Sequence, residues 1–300
     1  MRIVSLLPSA TEILYALGLG DSVVGVTHEC DYPPDAATKP ALIKPRIDPH
    51  ASQAEIDRQV TELASRGESI YSVDADLLAS LKPDLIVTQD LCHVCAASPD
   101  DLATALTRFR QSPKVLTLTP HSLGDVWQDL ERAAGETGKE ARAAALVADL
   151  KNRVANVERA VAGSHRKRVL CLEWLEPLYV AGHWVPEMVS RAGGEDVIGK
   201  SCEPSFRVTA EDIAKTDPEI ILIMLCGYNA ARNADEYRSF QIPESWKKFS
   251  AVRENKIFAV DSNSYFSRLG PRLADGVEIL GHTLHPDLVP APPQHTVVKL

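Results

Sequence analysis

The sequence contains no long hydrophobic run and no excess of basic charge. No apolar stretch approaches the ~20 residues that a membrane-spanning helix needs. Lysine and arginine total 32 against 41 aspartates and glutamates, a net charge of −9. Because a nucleic-acid partner calls for a basic surface, the composition argues against one. We expect a globular protein that binds no nucleic acid and does not insert into a membrane.

Three catalytic signatures are also missing from the sequence: the G-x-S-x-G nucleophile elbow, the glycine-rich phosphate loop and the H-E-x-x-H zinc motif. The early hydroxyl residues fit helix capping instead, because Ser9 and Glu12 have the spacing of a capping box. We therefore expect a binding protein rather than an enzyme.

The N-terminus does not read as a secretory signal. The stretch MRIVSLLPSATEILYAL has a single arginine and a short apolar segment, and no small-residue cleavage site follows it. We expect a cytoplasmic protein whose six cysteines are mostly reduced. A misassigned start codon would instead place the protein in the periplasm.

The same order of elements occurs twice along the chain. A short apolar strand, a loop, a helix, a glycine stop and a second strand begin at residues 2–7 and again at residues 167–172. Residues 74–89 and 209–224 each predict a short helix, a proline and a buried strand. Continuous apolar strands between helices are typical of parallel sheets covered on both faces.

Residues 141–162 predict one long helix between the two repeats. Its apolar residues recur at intervals of three and four, which places them on one helical face: Val147, Leu150, Val154, Val157 and Val161. The predicted fold is α/β, with two lobes that each contain a mainly parallel sheet flanked by helices, bridged by this backbone helix. The predicted boundaries are an N-terminal lobe at 1–120, a linker with the helix at 121–163, a C-terminal lobe at 164–287 and a proline-rich tail at 288–300. The ligand is expected in the interlobe cleft, beyond the carboxyl ends of the strands.

Cysteines and histidines cluster after several predicted strands. The stretch TQDLCHVCAA holds two cysteines three positions apart, directly after a predicted strand. Three interpretations remain open: a zinc or iron–sulfur site, a redox dithiol, or small buried residues in a turn. The candidate metal ligands are His28, Cys30, Cys92, Cys95, His183 and Cys226.

Several motifs in sequence order resemble one protein family: LLPSATE, CDYPP, LKPDLIV, KRVLCLEW, AGG and YFSRLGPR. Together they are similar to the helical-backbone (class III) solute-binding proteins, which serve importers of vitamin B12, haem, siderophores and metals. The similarity is strongest to the vitamin B12-binding members and their cytosolic cobalamin-binding-like branch. This resemblance implies two α/β lobes bridged by one long helix.

The resemblance also implies roles for individual residues. Tyr32 falls where the vitamin B12-binding members have a ligand-contacting tyrosine, whereas Gln89 stands where they carry a tryptophan. Asp76 and Glu211 match lobe-surface carboxylates that dock onto an ABC importer permease, although both also suit a helix N-terminus. The full set of predicted ligand-contacting residues is Tyr32, Gln89, Trp174, Trp184, Phe206, Tyr265, Phe266 and Arg268.

The predicted function is therefore binding of a corrinoid such as cobalamin, or of another metal-containing cofactor. Aromatic side chains would form the walls, and Arg268 would meet a polar substituent. The alternative is a metalloprotein or enzyme that reuses the fold, with a Cys/His-bound metal or an iron–sulfur cluster.

Overall fold

The computed structural model of the protein describes residues 1–89 and 99–300. These residues divide into two compact units, the first formed by 1–120 with 124–147 and the second by 121–123 with 148–300. The division near residue 147 falls inside the 22-residue helix α6 (Glu140–Val161), so this helix contributes to both units. The predicted α/β fold, with two lobes and one long helix, is confirmed.

Helix α6 packs through the face that its sequence predicts. All five apolar residues of that face are buried: Val147, Leu150, Val154, Val157 and Val161. Within the second unit, Arg153 of α6 also forms ion pairs with Asp275 and Glu278 of α12 (Leu273–Leu284). An apolar stripe and a paired arginine thus anchor the helix to its neighbour.

The first unit contains a four-stranded sheet in the order β2-β1-β5-β6, with every pairing parallel. Its strands are β1 (Ile3–Ser5), β2 (Val23–Gly25), β5 (Leu85–Gln89) and β6 (Lys114–Leu118). Strands β3 (Ile43–Pro45) and β4 (Tyr71–Val73) form a separate antiparallel pair. The helices here are α1 (Pro8–Ala16), α2 (Gln53–Ser65), α3 (Ala75–Leu81), α4 (Pro99–Leu106) and α5 (Leu123–Thr137).

The second unit contains a seven-stranded mixed sheet in the order β10-β8-β7-β11-β12-β13, with β9 also beside β7. Its strands are β7 (Lys167–Leu175), β8 (Leu178–Val180), β9 (Gly194–Asp196), β10 (Phe206–Arg207), β11 (Ile220–Ile223), β12 (Ile257–Val260) and β13 (Val297–Lys299). Its further helices are α7 (Val185–Arg191), α8 (Ala210–Ile213), α9 (Ala230–Ser239), α10 (Ser250–Arg253) and α11 (Ser262–Tyr265). Strands β9, β7, β11 and β12 pair in parallel, and β8, β10 and β13 add antiparallel pairings.

The start of α1 differs from the prediction. Leu7 is the N-cap and makes no side-chain cap bond, so Ser9 lies inside the first turn and the predicted capping box is wrong. The helix begins earlier because Pro8 occupies its first position, where the missing N–H costs nothing and the fixed φ suits a helix.

The C-terminal segment contributes to the second sheet. Strand β13 pairs antiparallel with β12, with Val298 opposite Ala259. Gln294 donates to Asp275 Oδ1 at 2.9 Å, which ties the preceding loop to α12. A proline-rich approach followed by a short edge strand suits this position, because proline cannot donate to a central ladder.

Candidate functional site

Two groups of loops follow the strands. We call the carboxyl ends of β1, β2 and β5, with the described loops that follow β1 and β2, the first-unit edge. The carboxyl ends of β7, β11 and β12, with their loops, are the second-unit edge. Open parallel sheets bind ligands beyond such ends. The predicted ligand contacts are therefore expected at these two edges.

Cys30 fixes the loop of the first-unit edge that follows β2. Its Sγ atom lies 3.1 Å from Thr11 Oγ1 and 3.2 Å from Thr27 Oγ1, and accepts from Thr27 N at 3.4 Å. The residue is only 3% exposed. The thiol therefore joins its own loop to α1, which matches the expected behaviour of a small buried cysteine.

His28 and Glu29 lie in the same loop and contact Tyr71 of β4. Tyr71 Oη donates to Glu29 Oε1 at 3.2 Å, and the rings of His28 and Tyr71 are 5.8 Å apart between centroids. His28 Nε2 is 3.9 Å from Glu29 Oε1. An imidazole, a carboxylate and a phenol thus stand together at the end of β2.

The two predicted ligand contacts of the first unit differ in exposure. Tyr32 is 46% exposed, whereas Gln89, the last residue of β5, is buried. An exposed tyrosine ring offers a large amphipathic surface to a ligand. Tyr32 is therefore the more accessible of the two.

Backbone contacts join the loops of the second-unit edge. Cys226 N donates to Glu173 O at 3.2 Å, which ties the end of β11 to the end of β7. Gly227 N lies 3.4 Å from Ser267 Oγ, in the loop after β12. Gly227 has φ +78°, a conformation that favours glycine. Cys226 is exposed on this turn.

The buried side-chain amide of Asn233 also joins the loops of the second-unit edge. Its Nδ2 donates to Val260 O at 2.7 Å, and its Oδ1 accepts from Leu225 N at 3.1 Å. It also contacts Ser262 Oγ at 3.3 Å. One side chain on α9 thus satisfies backbone groups from the ends of both β11 and β12.

Trp174 belongs to a cluster of three neighbouring side chains, with Tyr228 and Arg232. Its ring is 5.6 Å from that of Tyr228, at an angle of 55°. The guanidinium carbon of Arg232 lies 3.6 Å from the Tyr228 ring centroid, and Arg232 Nη2 donates to Tyr228 Oη at 2.8 Å. Trp174 is partly exposed and Tyr228 is buried. Tyr228 and Arg232 were not predicted from the sequence, although GYNAAR directly follows a buried strand.

Trp184 and Phe266 are buried and bonded to one another. Trp184 Nε1 donates to Phe266 O at 2.7 Å. Phe266 is 2% exposed. Trp184 therefore supports the loop after β12 through its indole N–H, as buried tryptophans commonly do.

His183 precedes Trp184 in a left-handed conformation. Its φ is +53°, and its ring stacks on Trp184 with 5.4 Å between centroids. Burial, and secondarily the nearby His121, lower the pKa of His183 from its usual 6.5. Its buried Nδ1 has no hydrogen-bond partner among the residues that the structure describes. A lowered pKa keeps the ring neutral.

The remaining predicted contacts of the second unit lie on β10 and in the loop after β12. Arg268 is 7% exposed and donates to Asn263 Oδ1 at 3.1 Å. Tyr265 is partly buried, and the guanidinium carbon of Arg272 lies 5.7 Å from its ring centroid. Phe206 is partly buried on β10.

The predicted metal ligands do not assemble into a cluster in the part of the chain that the structure describes. Across residues 1–89 and 99–300, no group of three or more histidine, cysteine, aspartate or glutamate side chains is arranged to hold a metal ion. Cys92 and Cys95 lie outside the described residues. His28, Cys30, His183 and Cys226 therefore form no such group among themselves.

The comparison with protein families bears on both units. Residues 3–264 match the family model described as periplasmic binding protein. The chain belongs to this family. The predicted resemblance is therefore confirmed over most of the chain, and the architecture is that of a solute-binding protein.

Two relatives extend this result. An uncharacterized ABC transporter substrate-binding lipoprotein of Bacillus subtilis is 26% identical over 294 residues, 95% of this chain and 80% of its own length. The vitamin B12-binding protein of Vibrio cholerae is 25% identical over 280 residues, covering 92% and 86% respectively.

Solved structures share the fold. The Vibrio cholerae periplasmic vitamin B12 binding protein superposes with a TM-score of 0.69 at 23% identity, over 95% of this chain and 96% of that one. A periplasmic haem-binding protein from Pseudomonas aeruginosa gives 0.73 at 20% identity, over 96% and 93%.

Asp76 and Glu211 occupy equivalent places in the two halves of this periplasmic binding protein. Each is the exposed second residue of a short helix, α3 or α8. Each helix is capped by a side chain, since Asp74 accepts from Leu77 N and Thr209 accepts from Asp212 N. Both carboxylates therefore lie in the first turn of a capped helix, where negative charge suits the positive helix N-terminus.

Within residues 1–89 and 99–300, no helix has the length and apolar character that a membrane-spanning helix needs.

Proposed function

We propose that this periplasmic binding protein binds a corrinoid or a related metal-bearing macrocycle at the carboxyl ends of its parallel strands. The observation that carries the proposal lies at the second-unit edge, where partly exposed Trp174 stands near the carboxyl end of β7 and buried Arg268 lies in the loop after β12. Ligand sites commonly combine an aromatic wall with a few directed polar groups.

The candidate aromatic contacts are Trp174 at the second-unit edge and Tyr32 at the first-unit edge. A flat macrocycle buries most area against rings, and each of these side chains presents an accessible face. Trp184 and Phe266 are buried, so they support the loop after β12 instead. Arg268 would hold a polar substituent, because its guanidinium is already oriented by Asn263.

The ligand's metal would need only one donor from the protein. A macrocycle fills the equatorial positions of its metal, so one imidazole or thiolate suffices for an axial contact. His28, whose side chain is 29% exposed beside Tyr71, is the candidate in the first unit, and exposed Cys226 is the candidate in the second.

Titration with cobalamin and dicyanocobinamide, followed by visible absorbance and calorimetry, tests the proposal. We expect saturable binding of at least one of them, and no binding at about 50 µM would remove the ligand assignment. Tyr32→Ala and Trp174→Ala should each weaken binding roughly tenfold. Leu288→Ala is the matched control, because Leu288 is an exposed apolar residue outside both edges and should leave affinity unchanged.

We further propose that Asp76 and Glu211 dock onto a membrane-spanning ABC permease, because one relative is an ABC transporter substrate-binding lipoprotein. Their equivalent positions on α3 and α8 support this role, since a two-sided contact requires one carboxylate on each half. Asp76→Lys with Glu211→Lys should abolish stimulation of a vitamin B12 importer's ATPase in lipid vesicles, without changing ligand affinity. Glu68→Lys with Glu244→Lys, also one exposed residue on each half, should preserve stimulation. Equal loss in both pairs would refute the docking role.

A further inference from the structure

Two neighbouring loops of the second-unit edge each place an arginine against a tyrosine ring. After β11, the guanidinium carbon of Arg232 lies 3.6 Å from the Tyr228 ring centroid. After β12, that of Arg272 lies 5.7 Å from the Tyr265 centroid. Arg268 stands on the second loop. Three arginines thus collect at one edge of a chain whose net charge is −9.

The position of Arg232 carries an electrostatic cost. It is the third residue of α9, where the helix N-terminus is already positive and disfavours a cation. The Tyr228 ring offsets part of this cost through its negative face. Glu236 approaches Arg232 Nε only to 3.7 Å, and the Arg232 side chain remains 37% exposed. The arrangement keeps the guanidinium of Arg232 partly exposed on the Tyr228 ring, which also neighbours the Trp174 ring.

Three acidic groups lie on the same segments. Asp261 caps α11 by accepting from Ser264 N at 2.9 Å. Glu236 lies one turn further along α9 than Arg232 and is its ion-pair partner at 3.7 Å. Glu173 lies in β7, and its backbone carbonyl accepts from Cys226 N. Arg232 is the cation on the Tyr228 ring, and Arg272 is the cation near the Tyr265 ring.

We infer that the ligand carries ionised carboxylates, and that Arg232 is a specificity-determining residue that selects them. This inference rests on the proposed function and deepens it, because it specifies that the bound macrocycle carries negatively charged substituents. Arg232 binds the anionic substituent directly, while Tyr228 holds its guanidinium in place. Guanidinium groups favour carboxylates through paired, charge-assisted hydrogen bonds.

A matched pair of ligands tests the inference. Dicyanocobyrinic acid and dicyanocobinamide share the corrin ring and metal, but the acid carries carboxylates where the other carries amides. We expect the wild-type protein to bind the acid about tenfold more tightly at low salt, with the preference shrinking as salt rises. Arg232→Gln should weaken binding of the acid roughly tenfold and change binding of dicyanocobinamide by less than about twofold.

Two variants separate charge from structure. Arg232→Lys should retain most of the preference for the acid, because it keeps the cation. Arg238→Gln, on the same helix and paired with Asp235, should behave as the wild type. Equal weakening of both ligands by Arg232→Gln, or no wild-type preference, would overturn the inference and leave the proposed function standing. Failure of the wild type to bind either ligand would remove both.

Discussion

The two edges are built from different kinds of contact. At the first-unit edge, a thiol and two threonine hydroxyls fix the loop after β2, and its polar group combines His28, Glu29 and Tyr71. At the second-unit edge, the buried amide of Asn233 joins the ends of β11 and β12. The Tyr228 side chain at this edge neighbours both Trp174 and Arg232. Among the described residues, the same repeated topology therefore carries a small polar group at the first-unit edge and an aromatic and cationic group at the second-unit edge.

The largest effect should come from the buried amide of the second-unit edge. Asn233→Ala leaves Val260 O and Leu225 N without this partner in a buried site, so the free energy of unfolding should fall by about 3 kcal/mol. Urea unfolding followed by tryptophan fluorescence measures it. Asn229→Ala, an exposed helix cap four residues earlier, should cost only about 1 kcal/mol. Equal losses in the two variants would contradict the special role of Asn233.

The indole of Trp184 should have the next largest effect. Trp184→Phe removes the hydrogen bond to Phe266 O and some packing, and should lower the free energy of unfolding by about 2 kcal/mol. Hydrogen exchange should rise in residues 262–268. Trp246→Phe is the control, because Trp246 makes the same kind of bond to Ala210 O elsewhere in the unit. If hydrogen exchange in residues 262–268 rose in both variants, Trp184 would not be a local support of that loop.

The thiol of the first-unit edge should contribute less. Cys30→Ala removes weak sulfur hydrogen bonds and a small buried volume, and should lower the free energy of unfolding by about 1 kcal/mol. Exposed Cys202→Ala should change it by less than about 0.5 kcal/mol. A Cys30 variant as stable as the Cys202 variant would remove the structural role given to this thiol.

Acidification should act on the second unit through His183. Burial, and then His121, lower its pKa in the folded protein below the usual 6.5, which the unfolded chain regains. The unfolded state therefore binds this proton more tightly. The stability that neutral His183 contributes is present above pH 6.5 and is lost as pH falls below it.

Tryptophan fluorescence suits this measurement, since three of the four tryptophans lie in the second unit. His183→Asn should reduce the loss of stability between about pH 7.5 and 5.5, and asparagine also tolerates the positive φ at this position. An unchanged pH dependence in this variant would exclude His183 as the titrating group.

Much of the fold was predictable because its signals are local. The apolar spacing of Val147 to Val161 identified α6, and strands such as Leu85–Gln89 are short buried runs between breaks. The capping box at Ser9 failed because Pro8 had already started the helix. Strand β13 was not predicted as part of a sheet, since a short polar-flanked run gains its structure only by pairing with β12.

The candidate site was less predictable because its contacts join distant residues. Trp184 and Phe266 are 82 positions apart, and no periodicity indicates their hydrogen bond. Arg232 follows Tyr228 by four positions, but Tyr228 precedes the helix, so helical spacing alone does not bring them together.

The sequence by itself determined the repeated α/β architecture, the long helix and the family, because hydrophobic periodicity and motif order depend only on neighbours along the chain. The tertiary structure alone decided which side chains remain accessible. It buried Trp184 and Phe266, exposed Tyr32, and set Arg232 on the ring of Tyr228. Burial and stacking depend on which loops the strands bring together, and that is a property of packing across the sheet rather than of any segment.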